Sequence, residues 1–284
     1  MTTAYLNGQM CPLEDARVSP MDRGFLFGDG IYEVIPSYGG QLVGLQRHLE
    51  RLDNGLSAIH LANPHTASEW QGLFTALIEA NGAGNLGVYL QVTRGVSMTR
   101  AHRFPDNTPA TVFAYTFEIP GPSDGDPSNA TTYRVVTVND RRWRRCDIKS
   151  VALLGNVLHM MEGVHAGADE VLLFNDEEEL TEAAACNVFA VQNGEVVTPP
   201  LDSQKLPGVT RNMLVDILRA EGWPVLEQPL RRDAILTSDE VWLTSSIKEV
   251  APVVAVDDHP IGGGIPGPLW SRAQATFAKH RFSA

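Results

Sequence analysis

The sequence is short of cysteine, of lysine and of long apolar runs, and each shortage excludes something. Three cysteines in 284 residues, Cys11, Cys146 and Cys186, show no CxxC spacing. So sparse and odd a set does not build a disulfide framework, and it fits a reducing compartment such as the cytoplasm. No apolar stretch approaches the roughly 18 residues that a membrane span requires. The opening residues, MTTAYLNGQM, lack the charged and then apolar layout of a secretory signal. Positive charge is also scarce: 22 Lys and Arg stand against 34 Asp and Glu, a formal charge of −12. Such a chain is repelled overall by a polyanion such as DNA. The one local exception is Arg141-Arg142-Trp143-Arg144-Arg145. Arginine around an aromatic ring is the composition of a nucleic-acid patch, but the cluster reads better as a charged strand end leading into a buried site.

What remains is ordinary globular chemistry, 43% hydrophobic and 20% charged, long enough for two modest domains. Ala4 to Leu13 predicts a hairpin around Asn7-Gly8, and Ile31 to Leu45 a second one turning at Gly39-Gly40. Helical spacing covers Arg47 to Leu61 and Ser68 to Ala80, with Ser68 as N-cap and Asn81-Gly82 as stop. Val88 to Arg94 and Thr111 to Ile119 have strand composition. Residues 120–130, PGPSDGDPSNA, are almost free of apolar side chains and predict a linker between an N-terminal α/β domain, 1–119, and a C-terminal one, 131–284. In the second part, Tyr133 to Val138, Glu170 to Phe174, Val188 to Val197 (turning at Asn193-Gly194) and Glu240 to Ser245 predict strands. Val151 to Ala166 and Thr210 to Glu221 predict helices, the latter with Thr210 as N-cap and Gly222 as stop. Mixed strands, helices and hairpins argue for α+β sheets rather than a uniform βαβ series.

Three patterns do not carry function. Gly262-x-Gly264-x-x-Gly267 has dinucleotide spacing but no preceding strand, and Pro266 lies inside it, so a loop is expected. His159, Glu162 and His165 step by three along a predicted helix, fan across it rather than converge on a metal, and read as helix surface. Asn129-Ala130-Thr131 fits a glycosylation acceptor, which means nothing without secretion.

Only four of the basic residues are lysine, so each one merits inspection. Lys149 sits between Ile148 and Ser150-Val151-Ala152-Leu153-Leu154, a setting that predicts partial burial. Burial disfavours an ammonium ion and so favours a nucleophilic amine. Lys205 and Lys248 lie in polar or loop settings, and Lys279 reads as solvated. Leu206-Pro207-Gly208-Val209-Thr210 is a glycine turn that opens a helix, and backbone N–H groups there attract anions. Ser245 and Ser246 follow a strand and offer hydroxyls, and Arg51 on an early helix offers a charged fork.

Six segments occur in order along the chain: DRGFLFGDGIYEV (22–34), VTRGVSMTRAHRFP (92–105), RWRRCDIKS (142–150), LTEAAACNVF (180–189), LPGVTR (206–211) and LTSSIKE (243–249). In this order and spacing the sequence resembles the fold type IV enzymes that use pyridoxal 5'-phosphate (PLP), and among them the D-amino acid aminotransferases. The resemblance implies a two-domain α+β fold. It implies that PLP forms a Schiff base on Lys149, which also shuttles the proton, and that Glu182 pairs with the pyridine nitrogen. Arg51 would bind the phosphate, assisted by Val209, Thr210, Ser245 and Ser246, and Leu206 would pack on the ring. Tyr32 would sit at the substrate. Arg100 and His102 would hold the substrate carboxylate, donated across a homodimer. The implied substrates are D-amino acids, with 2-oxoglutarate or pyruvate as acceptor. Branched-chain L-amino acid or (R)-amine transaminases and an aminodeoxychorismate-type lyase are the alternatives, and the Arg100-Ala101-His102 element counts against the first two. One segment departs from the family: where a glycine and hydroxyl residues usually follow the pyridine-pairing glutamate, this chain has Ala183-Ala184-Ala185-Cys186. Looser cofactor retention is expected from that change.

Overall fold

The computed structural model describes residues 2–283. The chain divides into two compact units, Met1–Gly121 together with Ile148–Leu153, and Pro122–Asp147 together with Leu154–Ala284. The first break falls inside the Pro/Gly/Ser-rich stretch. In linear order Lys149 belongs to the expected second domain, 131–284. In the structure its short segment is part of the first unit.

The first unit is built on a six-stranded sheet in the order β2-β1-β6-β5-β3-β4. Its strands are β1 (Thr3–Leu6), β2 (Gln9–Pro12), β3 (Gly30–Tyr38), β4 (Gln41–Leu42), β5 (Asn85–Thr93) and β6 (Thr111–Glu118), and neighbours run antiparallel. A five-residue helix, α1 (Arg23–Phe27), precedes β3, and α2 (Leu45–Ala58) and α3 (Ala67–Ala80) follow β4. Leu49, Leu52 and Leu56 of α2 and Trp70, Phe74 and Leu77 of α3 recur every three or four residues and pack into one core with Ile31 and Ile35. The N-cap of α3 is Thr66 rather than Ser68. Thr66 accepts from the Glu69 N–H while the Glu69 carboxylate accepts from the Thr66 N–H, a capping box that starts the helix earlier.

The second unit holds a nine-stranded sheet: β12-β11-β10-β13-β14-β7-β8-β9, with β15 on β14. These are β7 (Tyr133–Asn139), β8 (Glu170–Phe174), β9 (Leu180–Ala183), β10 (Asn187–Gln192), β11 (Glu195–Thr198), β12 (Val225–Glu227), β13 (Glu240–Ser245), β14 (Glu249–Val256) and β15 (His259–Pro260). Its helices are α4 (Leu154–His165), α5 (Val209–Ala220), α6 (Arg232–Leu236) and α7 (Pro268–His280). The predicted helix from Val151 starts only at Leu154, because the residues before it are spent on the first unit's sheet: Lys149 C=O accepts from Tyr32 N–H, and Val151 N–H donates to Gly30 C=O. The glycine pattern near the C-terminus is a short turn at Gly262–Gly264 followed by the start of α7, as expected of a loop. His159 is buried rather than on a helix surface. Its Nε2 accepts the Arg141 backbone N–H. Among the described residues no cluster is suited to a metal ion, and no helix is long and apolar enough to cross a membrane.

Candidate active site

In the first unit, β3 alternates its side chains between two faces. Glu33 lies on the face of Ile31 and Ile35, and it is buried under α2. It meets His48 and Arg51, which lie three residues apart on that helix and so share a side. Arg51 donates from Nε to Glu33 Oε1 and from Nη2 to Glu33 Oε2, both at 2.8 Å, and His48 Nδ1 lies 2.7 Å from Oε2. Burial works against the Glu33 charge, but Arg51 and His48 outweigh it and hold the carboxyl far below its ordinary value. Burial holds His48 below its ordinary value, toward the neutral ring, against the pull of Glu33. Arg51 is thereby a fixed guanidinium on a helix.

Lys149 lies on the half-buried turn after Ile148, and its Nζ stands 4.2 Å from the centre of the Tyr32 ring. Tyr32 stacks on Tyr89 at 5.9 Å, and burial, with Tyr32 and Tyr115 nearby, pushes the Tyr89 hydroxyl up to about 12. Burial alone would not have singled out Lys149. Lys205 is more buried, at 6% exposure, and is paired with Asp202 at 2.7 Å. Lys248 is partly buried between Glu170, Cys186 and the Tyr133 ring, and Lys279 is exposed.

Arg100 and His102 are exposed on the loop that joins β5 to β6. The Arg100 guanidinium lies 5.1 Å and the His102 ring 5.5 Å from the Phe27 ring centre, so both residues gather around one aromatic ring.

In the second unit, Glu182 of β9 is buried. Its Oε1 accepts from Arg142 Nη1 at 2.5 Å, and its Oε2 accepts from Leu206 N–H at 3.0 Å and Asn187 Nδ2 at 3.2 Å. Burial pushes the Glu182 carboxyl up, opposed by Arg142 and the Leu206 N–H. Burial also works against the Arg142 charge. Asp140, bonded to Arg142 through Nε and Nη2, and Glu182 outweigh that cost and hold the guanidinium above its ordinary value. The sequence marked Arg142 only as one of a basic run. Its neighbours Arg141, Arg144 and Arg145 pair with exposed or half-exposed carboxylates, so the run is a surface feature with one buried member.

Helix α5 begins at Gly208, which is its N-cap in place of the expected Thr210. No side chain caps it. Val209 and Thr210 therefore sit in the first turn, where N–H groups have no partner within the helix. A β-carbon on Gly208 would come within 2.0 Å of Asn187 Oδ1, so only glycine brings the helix start this close to the Asn187 and Leu206 side of Glu182. Ser245 ends β13, its hydroxyl accepting from Lys248 N–H, and Ser246 opens the turn that follows. These groups suit PLP chemically: an uncapped helix start and hydroxyls for a phosphate, and a buried carboxylate for a protonated ring nitrogen.

Residues 30–256 match the amino-transferase class IV family model. The chain is 37% identical over 281 residues to the D-alanine aminotransferase of Staphylococcus haemolyticus, covering 99% of this chain and 98% of that protein. It is 35% identical to the D-alanine aminotransferase of Bacillus licheniformis, over 95% and 94% of the two chains. Among solved structures, the Escherichia coli branched-chain amino acid aminotransferase superposes with a TM-score of 0.89 at 23% identity, over 98% of this chain and 94% of the other. The branched-chain aminotransferase of the archaeon Thermoproteus uzoniensis, solved with norvaline, superposes with a TM-score of 0.87 at 23% identity, over 99% and 95% of the two chains. At that level of identity both likenesses speak for the fold alone.

The chain therefore belongs to the class IV aminotransferases and has the fold type IV architecture. It is an aminotransferase whose cofactor is pyridoxal 5'-phosphate.

Proposed function

We propose that this aminotransferase acts on D-amino acids, with Lys149 as the lysine that holds the cofactor. The observation that carries the D-reading is the Arg100 and His102 pair, two carboxylate-binding side chains brought side by side around Phe27 and left exposed. A guanidinium fork matches a carboxylate, and both the amino acid and the 2-oxo acid bring one, so a single clamp serves both halves of the reaction. The D-alanine aminotransferases that match over nearly the whole chain support the same reading.

The remaining residues fall into roles. Arg51, the first-turn amides of Val209 and Thr210, Ser245 and Ser246 hold the phosphate, and Leu206 packs on the ring. Glu182 keeps the ring nitrogen protonated. When bound, PLP supplies an electron sink that acidifies the substrate Cα–H. The Lys149 amine takes that proton at Nζ and returns it, general base and then general acid. Tyr32, whose ring lies beside Lys149 Nζ, lines the substrate side. The acceptor is a 2-oxo acid such as 2-oxoglutarate or pyruvate.

The clamp acts across a homodimer in this reading. Leu154, Val157, Leu158, Met161 and Val164 form an exposed apolar stripe along α4, and Phe25 and Met98 are exposed on the first unit. Apolar patches of this extent mark interfaces. Three free cysteines are consistent with a reducing, cytoplasmic setting.

A half-reaction tests the proposal. The yellow holoenzyme is mixed separately with D-alanine and with L-alanine, and the visible cofactor band is followed. Bleaching by the D form alone is expected. Bleaching by the L form alone would overturn the stereochemistry, and catalytic release of pyruvate from aminodeoxychorismate, with no amino acceptor present, would point to a lyase.

A further inference from the structure

The loop that carries Arg100 and His102 has no regular structure of its own between Arg94 and Ala110. Something else must position it, since an unsupported loop samples many conformations and dilutes any geometry its side chains offer. The main supports come from one short element, α1 with its N-cap Asp22.

Asp22, the N-cap of α1, is 1% exposed and closes the loop at its base. Thr93 and Thr111, paired across β5 and β6 where the loop leaves and re-enters the sheet, donate their hydroxyls to Asp22 Oδ1 and Oδ2, each at 2.7 Å. Asp22 Oδ1 also accepts the Gly24 N–H at 2.8 Å, which ties α1 to the same two strands. A β-carbon at Gly24 would lie 2.3 Å from Thr93 Cγ2, so glycine lets the helix sit flat on the strand end.

Arg23 then reaches into the loop itself. It is buried, and Nη1 donates to Ala101 C=O at 2.7 Å, with His102 C=O 3.4 Å from Nη2 and Arg103 C=O 3.5 Å from Nη1. Three consecutive carbonyls thus turn toward one guanidinium. Arg23 is itself oriented by Asp29, which accepts from Arg23 Nε at 2.8 Å and also takes Arg94 through Nε and Nη2. Arg94 in turn lies over the Phe104 ring at 3.7 Å, near the far end of the same segment.

Phe27 is one helical turn beyond Arg23 and shares its side of α1. Its ring lies under the Arg23 guanidinium at 4.7 Å and is the ring that Arg100 and His102 flank. Arg23 holds the loop backbone, and Phe27 holds the two side chains.

We propose that Arg23 and Phe27 are positioning residues for carboxylate recognition: α1 is the template on which the Arg100 and His102 pair is set. The inference rests on the reading of that pair as the substrate clamp. Neither residue is expected to touch the cofactor, so their loss should raise KM for carboxylate substrates and spare cofactor loading.

The experiment is steady-state kinetics with D-alanine on the holoenzyme variants Arg23→Gln, Phe27→Leu, Arg100→Ala and the double variant Arg23→Gln/Arg100→Ala. Cofactor stoichiometry is read by absorbance, and amide exchange is followed across residues 96–105. Arg23→Gln and Phe27→Leu should each raise KM about tenfold with kcat changed by less than about threefold, at full cofactor loading and with faster exchange in the loop. In the Arg100→Ala background the further loss of Arg23 should raise KM by less than it does in the wild type, because only His102 is then left for Arg23 to position. If Arg100→Ala raises KM while Arg23→Gln and Phe27→Leu leave it unchanged, the inference falls and the clamp stands. If Arg100→Ala leaves KM unchanged, the clamp reading falls and takes the inference with it. Should Arg23→Gln fail to fold, Arg23→Lys keeps the charge toward Asp29 but cannot fork to three carbonyls. It decides the matter together with Phe27→Leu.

Discussion

Arg142 donates to Glu182 at 2.5 Å with both side chains at least nine-tenths buried, and it is itself held through Nε and Nη2 by Asp140. The pair ties the end of β7 to β9 and gives Glu182 a permanent cationic partner. Removing one member of a buried ion pair strands the other in a medium that cannot solvate it. Arg142→Met should therefore destabilise the protein by about 3 kcal/mol. Urea unfolding measures this, and a loss below about 1 kcal/mol would show that water or rearrangement rescues Glu182.

Lys149→Ala should abolish turnover while leaving the fold intact, because Lys149 is only half-buried, its neighbour Ile148 packs in the core and Ser150 bridges to β3. Borohydride reduction of the wild-type holoenzyme followed by peptide mass analysis should place the cofactor on the peptide containing residue 149. Label on Lys205 or Lys248 instead would remove the assignment.

Glu33 sets a pH dependence with a definite sign. Its carboxyl is held far below the ordinary value of 4.5 in the folded chain despite its burial, by Arg51 and His48. A depressed native value means that the unfolded state binds the proton more readily, so the group contributes stability above pH 4.5 and loses it as pH falls below that value. Unfolding free energy should fall steeply below pH 4.5, and Glu33→Gln should flatten that slope at a cost in stability at neutral pH. An unchanged acid slope in the variant would assign the acid lability to other carboxylates.

Ala183-Ala184-Ala185-Cys186, where the resemblance leads to an expectation of hydroxyl residues, offers a gain-of-function test. Ala184 packs against Val171 and Leu173, whereas Ala185 is exposed on the bend before Cys186. Ala185→Ser should slow cofactor loss on dialysis and shift the cofactor band. Ala184→Ser buries a hydroxyl in an apolar cluster and should cost about 1 kcal/mol or more. If both serines leave retention and spectrum as they were, the alanines are not the cause of any looseness in cofactor binding.

Much of this architecture was legible in the chain. Asn7-Gly8, Gly39-Gly40 and Asn193-Gly194 placed three hairpins, because left-handed backbone is cheap only for such residues and all six have positive φ. Helical spacing over Arg47 to Leu61 found α2, which the structure runs from Leu45 to Ala58. The six ordered motifs carried the family. Local signals failed where burial was complete: β14 reads EVAPVVAV, an apolar run with no alternation, since both its faces are covered. Helix starts were misplaced by two residues where a better cap stood upstream, as with Thr66, or where glycine was required for close approach, as with Gly208.

The sequence by itself determined which residue types are available: one lysine in an apolar setting, a glycine turn opening a helix, a glutamate among small residues and an Arg-Ala-His loop. Only the tertiary structure decided how each is held. Arg142 is one of five residues in a basic run and cannot be told from its neighbours by composition. It is distinguished by the fold, which buries it against Glu182 while Arg141, Arg144 and Arg145 remain at the surface. Arg23 and Ala101 are 78 positions apart, and no local rule connects them. They meet because Asp22 bonds to both strands at the base of the loop. Contacts of that kind depend on long-range closure, which local propensity does not encode.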